Sequence, residues 1–312
     1  MDYQTISDYR TLSHIVDEPE AEGLRADKYI ADFLELFTRS QLKQREVQLR
    51  MDGTAVKPSK PVKYGTVLEI SYKPLPPQRI EAEKIPLDIL YEDASVVVVN
   101  KPAGMVVHPA AGNFSGTLVQ GLLYHVKSLK ERFPDQEVRP GIVHRLDKDT
   151  SGVIAAAKNP ESFAFLSRQF AERRVKKHYL AVVRGFPDPA EGTIRYPIAR
   201  DRHNRKKFTW KRTDGKEACT EYKTLRRLPT FSNLSLLLLK PNTGRTHQLR
   251  VHISSIGYPI AGDPLYGKSR QGEREWGLML HAYSLTLELP EGGRKTFRAP
   301  LPEGFRTLLV HC

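Results

Sequence analysis

Residues 141–152 read GIVHRLDKDTSG and crowd His144, Arg145, Asp147, Lys148, Asp149, Thr150 and Ser151 into one short turn. Turns held between rigid elements commonly carry chemistry, because the scaffold positions side chains that the turn leaves accessible. Basic residues flank Asp147 and favour the charged form of its carboxylate, which suits a nucleophile or charge stabiliser better than a general acid. A turn-forming Asp that binds backbone amides is the plainer role, and it accounts better for Asp149 with Thr150 and Ser151 after it. For Asp147 both roles stand open on local sequence.

A second constellation spans residues 240–267, KPNTGRTHQLRVHISSIGYPIAGDPLYG. Thr246 is placed to cap a helix in which Leu249, His252, Ile253 and Ile256 share one face and Gly257 marks the end. Arg245 then stands at a strand–helix junction. There its planar guanidinium can pair a carboxylate or phosphate, or simply bridge two elements. Arg250 falls on a different face.

Several chemistries are excluded. No GxGxxG follows a strand and no HExxH occurs. LKPNTGRT resembles a phosphate loop, but Leu239 and Arg245 occupy the positions where nucleotide hydrolysis needs Gly and Lys. His247 and His252, five apart, point to different faces of a helix, so no metal is expected. Two cysteines, Cys219 and Cys312, cannot form a disulfide framework or a Cys-rich zinc site.

The elements that must hold these turns are strongly patterned. SVVVVN from residue 95, GVIAAA from 152, YLAVVRG from 179 and LSLLLLK from 234 read as strands, as do the alternating Leu285, Leu287 and Leu289. Leu118, Leu122, Val126 and Leu129 trace one face of a helix. Asn159-Pro160 starts another, lined by Phe163, Leu166 and Phe170. Intermixed helices and antiparallel-looking strands predict an α+β fold.

The chain has 312 residues, 39% apolar and 27% charged, a mixture that packs a core rather than remaining disordered. Apolar runs such as 96–99 and 236–239 are far short of the roughly 20 residues a bilayer crossing needs. Net charge is +13, unevenly spread. Residues 195–216 carry nine basic and two acidic groups, 168–178 five and one, and 39–63 seven and two. Such clusters attract a polyanion by displacing its counterions, and no basic amphipathic anchor accompanies them, so nucleic acid is favoured over a membrane. Residues 1–20 hold five acids and one Arg, the wrong texture for a secretory signal.

Residues 73–86, KPLPPQRIEAEKIP, contain four prolines and predict an extended linker. The expected layout is an acidic, flexible leader over 1–21, a small unit over 22–72, the linker, and a large unit over 87–312. In the small unit Tyr29, Ile30, Phe33, Leu34 and Phe37 recur at helical spacing, and Thr38 with Gln41 forms a capping box for a second helix.

Helix, basic helix and compact β turn resemble the S-four RNA-binding domain, through RADKYI, TRSQL and DGTAVKPSKPVKYGTVLEI. The departure is REVQLRM, where that family has a glycine near the helix end. In the large unit HRLDKDTSG, KHYLA at 177–181 and TGRTHQLRVH closely resemble the RluA-type pseudouridine synthases, with further matches in NKPAGMVVHP and GYPIAGDPLYG. That resemblance implies the pseudouridine synthase fold, a mixed, largely antiparallel sheet. It also implies an enzyme that isomerises uridine in RNA by breaking the bond from nitrogen 1 and joining carbon 5 to the sugar. Asp147 is then the catalytic carboxylate, Tyr179 packs against the base, and Arg245 pairs with the carboxylate. Arg145, His144, Thr150, Arg250 and Lys177 contact the substrate. The implied protein is cytoplasmic, monomeric and free of cofactor, metal and membrane; its partner is large-subunit ribosomal RNA, with transfer RNA or non-catalytic RNA binding as alternatives.

Overall fold

The computed structural model describes residues 9–34, 36–37, 39–73, 80–109, 113–133, 139–202, 204, 206–228, 233–267 and 276–310. Thr38, Cys312, the first eight residues of the leader and residues 74–79 of the Pro-rich linker lie outside them. The chain divides into two compact units, Met1–Gln78 and Arg79–Cys312.

In the first unit, α1 (Ala26–Asp32) and α2 (Arg39–Gln44) accompany a four-stranded antiparallel sheet. Its strands are β1 (Arg10–Ile15), β2 (Gln48–Met51), β3 (Thr54–Val56) and β4 (Val67–Tyr72), in the order β1-β4-β2-β3. Tyr29, Ile30, Leu68 and Ile70 are sealed in the core. Two expectations change. The leader over 1–21 is not wholly apart from the small unit, because Arg10–Ile15 pairs with β4 and Val16 is buried. Acidity masked an alternation in which Leu12 and His14 stand opposite the core residues Ile70 and Leu68. The helical spacing also fails beyond Asp32, where Phe33 caps α1 with its ring exposed and stacked on Tyr29 at 5.5 Å. In REVQLRM, Glu46 takes the left-handed conformation (φ 48°) without the glycine.

The second unit has the expected α+β architecture, built on a nine-stranded, largely antiparallel sheet. In chain order the strands are β5 (Ile89–Glu92), β6 (Val96–Lys101), β7 (Ser151–Ala157), β8 (Lys176–Arg184), β9 (Glu191–Ile194), β12 (Thr220–Leu228), β13 (Leu234–Pro241), β14 (Leu280–Glu288) and β15 (Arg294–Arg298). A separate two-stranded ribbon joins β10 (Ala199–Arg200) and β11 (Phe208–Thr209). The helices are α3 (Leu118–His125), α4 (Leu129–Arg132), α5 (Pro160–Ala171), α6 (Gln248–Ser255) and α7 (Glu303–Val310). The single helix expected through Leu129 is two pieces, since α3 ends at His125 and Val126 is its C-cap.

Spatial order is β5-β6-β7-β14-β8-β13-β12-β9, with β15 also on β14. The pairing of β7 with β14 is parallel and brief, His281 opposite Ser151 and Ala282 opposite Gly152. It divides two apolar cores, one around β6, β7 and α3, the other around β8, β13 and α6; Tyr179 packs against both. Gly152 makes this joint possible. At φ 114° an added Cβ would lie 2.2 Å from the Ala282 carbonyl oxygen, so only glycine admits β14 immediately after the turn that carries Asp147.

Candidate active site

Three segments meet at this joint and enclose a cavity of about 1070 Å³. Residues 143–150 bring Asp147 into β7, β8 brings Lys177 and Tyr179, and residues 240–250 carry the chain from β13 into α6. Every site residue named from sequence lines this one cavity: His144, Arg145, Asp147, Thr150, Lys177, Tyr179, Arg245 and Arg250.

Their partners differ from expectation at one point. Arg245 donates from Nε to the Glu217 carbonyl (3.1 Å). The cation nearest Asp147 is Arg250, whose Nη1 lies 3.7 Å from Oδ2. Arg250 is not turned out toward RNA: it is 3% exposed and clamps Asp263 through two parallel bonds of 2.8 Å. Asp263, wholly buried, also accepts from the amides of Leu265 and Tyr266. Burial opposes charge on both, but their mutual hydrogen bonds prevail, so Arg250's pKa is raised and Asp263's lowered.

The cause lies in how α6 begins. Thr246 does not cap it; His247 does, in a left-handed conformation (φ 55°). Gln248 ties the junction, accepting from the Thr243 hydroxyl (2.7 Å) and the Arg245 amide (3.0 Å) and donating to the Cys219 carbonyl (2.9 Å). Starting one residue later, the helix buries Arg250 and leaves Arg245 in the loop between β13 and α6. The readable clue was an Asp that the Arg could clamp, Asp263 of GDPLYG.

Around Asp147 the remaining groups are held in place. Thr150 donates its amide to the Asp147 carbonyl (3.2 Å), closing the turn. Lys101, wholly buried, donates to the carbonyls of Pro102 (2.8 Å), Met105 (2.9 Å) and Lys148 (3.0 Å), and thereby anchors the turn from behind. Burial pushes its pKa down to about 8. His144 accepts the Ala155 amide at Nε2 (3.0 Å) and stacks on Phe170 at 4.5 Å. Burial lowers its pKa to about 3, so it is a neutral strut with one nitrogen committed to β7. Lys177 donates to the Thr243 carbonyl (3.3 Å), and burial brings its pKa to about 8. Burial and then the charge of Asp147 raise the pKa of Tyr179, which keeps its hydroxyl protonated. Arg145 is exposed at the rim. His247, weighed from sequence only as a metal ligand, lies 4.0 Å from the carboxylate, and Tyr266, not named from sequence, bonds to its imidazole. Among the described residues, one group of three close metal-ligand side chains occurs, His14, Asp17 and Glu18 in the first unit, of which His14 and Glu18 bond to the Tyr29 hydroxyl.

This arrangement, a carboxylate beside a guanidinium and a protonated phenol under a basic rim, fits an anionic substrate with a planar ring. Comparison with known proteins agrees. The family model for RNA pseudouridylate synthase matches residues 95–255. The ribosomal large subunit pseudouridine synthase D of Borreliella burgdorferi is 43% identical over 91% of this chain and 88% of that protein. The uncharacterized RNA pseudouridine synthase YlyB of Bacillus subtilis is 40% identical over 95% and 96%. Human RNA pseudouridylate synthase domain containing 1 superposes with a TM-score of 0.57 at 32% identity, covering 71% of this chain and 86% of that one. The chain belongs to the RNA pseudouridylate synthase family. Its activity is therefore an isomerisation, the conversion of uridine in RNA to pseudouridine.

Proposed function

We propose that this synthase acts on uridine in large-subunit ribosomal RNA, with Asp147 as its catalytic carboxylate, Arg250 as the cation that balances it and Tyr179 as the surface for the base. The carrying observation is Asp147 in the cavity wall, 3.7 Å from Arg250 and electrostatically coupled to the phenol of Tyr179. The relatives named ribosomal large subunit pseudouridine synthase D, from Borreliella burgdorferi and Neisseria meningitidis, favour the ribosomal target. A stacked uridine hides the atoms that must react, so the nucleotide is extruded at a cost of a few kcal/mol. The exposed Arg145 and the basic rim attract the backbone and offset that cost, while stacking on an aromatic ring contributes roughly 1–3 kcal/mol. Asp147 then attacks the sugar or the ring, or assists their separation, and the uracil rejoins through carbon 5. No electron or group leaves the nucleotide. The reading carries with it a cytoplasmic location and a monomeric enzyme without cofactor; among the described residues no helix is long and apolar enough to cross a membrane.

Asp147→Asn tests the reading. Pseudouridine mapping on an unmodified large-subunit ribosomal RNA transcript is expected to find no product, with RNA binding retained. Product at the wild-type level would remove Asp147 from the mechanism, and free uracil from the wild type would mark a hydrolase instead.

A further inference from the structure

Beside Asp147, His247 lines the cavity wall and belongs to a chain of hydrogen bonds that the isomerisation as described does not use. The Phe208 amide on β11 donates to the Tyr266 hydroxyl oxygen (2.8 Å), and that hydroxyl is 2.9 Å from Nδ1 of His247. The amide supplies one proton to the phenol oxygen, so the phenol's own hydrogen is the one available for Nδ1. A neutral imidazole that accepts at Nδ1 carries its proton on Nε2. Nε2 lies 4.0 Å from Oδ2 of Asp147, the same oxygen that faces Arg250 Nη1 at 3.7 Å.

The ring has little freedom to turn away. His247 is fixed at a left-handed helix start, and its imidazole meets Phe208 (centroids 5.4 Å, 73°) and Tyr266 (5.7 Å, 84°) edge to face. Arg250 lies over the other aromatic of the set, 5.2 Å from the Tyr266 centroid. The charged groups facing His247 are Asp147, Arg250, Asp263 and Arg145; burial, aided by the two arginines, outweighs the two carboxylates and lowers its pKa, so the imidazole is neutral.

We infer that His247 is a positioning residue for Asp147: Tyr266 fixes its proton on Nε2, and with Arg250 it holds carboxylate oxygen Oδ2, leaving Oδ1 to meet the nucleotide. This rests on Asp147 being the catalytic carboxylate. At 4.0 Å the contact is longer than a hydrogen bond, and it tightens when RNA fills the cavity, as catalytic contacts commonly do. Because β11 supplies the amide that orients Tyr266, the relay begins in the ribbon flanked by the exposed Arg200 and Arg202.

Single-turnover rates of the full chain on the large-subunit ribosomal RNA transcript, with RNA affinity measured in parallel, test the assignment. His247→Asn keeps a residue tolerant of the left-handed backbone but withdraws the group that faces Oδ2. It is expected to slow the rate about 100-fold, the scale of a misplaced reacting group, with RNA affinity unchanged. His247→Gln, whose amide reaches further, restores part of the rate. Tyr266→Phe removes both hydrogen bonds of that hydroxyl, to His247 and from the Phe208 amide, and slows the reaction about tenfold. In 15N spectra of histidine-labelled protein, wild-type His247 shows the Nε2–H form, and Tyr266→Phe shifts it toward Nδ1–H. Wild-type rates for His247→Asn, or an Nδ1–H imidazole in the wild type, overturn the inference. If His247→Asn fails to fold by thermal melting, the rate and spectrum of Tyr266→Phe decide. An active Asp147→Asn would defeat the parent reading; an inactive Asp147→Asn beside a fully active His247→Asn defeats only the role given to His247.

Discussion

The two units handle charge in opposite ways. In the first, Lys57, Lys60 and Lys63 stand exposed around one hollow, and the single buried charge among its described residues is Asp27, bound by Arg25. In the second, Lys101, Arg250 and Asp263 are at most 3% exposed, each held by hydrogen bonds, and they support the turn and the carboxylate of Asp147. Exposed charges act at a distance and are screened by salt. Buried ones gain little net stability but fix geometry, because breaking one leaves an uncompensated charge. On this contrast, the exposed lysines of the first unit are expected to add to the attraction of RNA, and the buried charges of the second to fix the geometry around Asp147.

The sharpest way to break that contrast is at Arg250. Arg250→Met strands buried Asp263 and removes the cation nearest Asp147. It is expected to cost about 3–5 kcal/mol of stability and at least about 100-fold in rate. Urea unfolding and single-turnover assays measure the two separately. Adding Asp263→Asn removes the stranded charge while keeping an acceptor for the Leu265 and Tyr266 amides, so stability recovers and the rate does not. Recovery of both would make the pair a structural clamp alone. Lys101→Met comes next. It leaves the Pro102 and Met105 carbonyls without their ammonium donor, at about 3 kcal/mol, read from the urea midpoint; the Lys148 carbonyl retains the Gly104 amide at 2.9 Å.

Why the pairing of Arg250 with Asp147 escaped the sequence, while Asp147 itself did not, is a matter of locality. The turn around Asp147 is continuous in the chain, so the charged residues that mark it stand within a few positions of it. The strands beside it were equally legible, since β6, β7 and β13 are nearly all buried and read as unbroken apolar runs. The clamp between Arg250 and Asp263 spans thirteen residues and depends on where α6 begins, which a left-handed histidine decides. Non-glycine residues seldom adopt that conformation, so no propensity announces it. His247, Tyr266 and Lys101 were missed for the same reason. Their roles lie in partners that only the fold brings near.

Acid should separate the units as well. His108 and His281 are buried in the second unit, and burial lowers the pKa of each to about 4. Between pH 6.5 and 4 the unfolded chain binds protons that the folded chain refuses. Stability from these groups is therefore complete above pH 6.5 and is lost as pH falls toward 4. At pH 5 each wholly buried histidine costs about 2 kcal/mol relative to neutral pH. Urea midpoints at pH 7 and 5 check this, and His281→Phe should flatten the difference. An unchanged pH slope in that variant would mean His281 titrates freely.

The gentlest intervention tests the other side of the contrast. Lys57, Lys60 and Lys63 are exposed and converge on one hollow, so their contribution to RNA binding is counterion release rather than fixed geometry. Replacing all three by Gln should lower the slope of log affinity against log salt by about 2–3. The accompanying loss of affinity is largest at low ionic strength and fades as salt screens what remains. Single-turnover rates at saturating RNA should stay at the wild-type value, because the groups that hold Asp147 all belong to the second unit. A rate that collapses at saturation, with the salt slope intact, would place chemistry in the first unit and dissolve the division between attraction and catalysis.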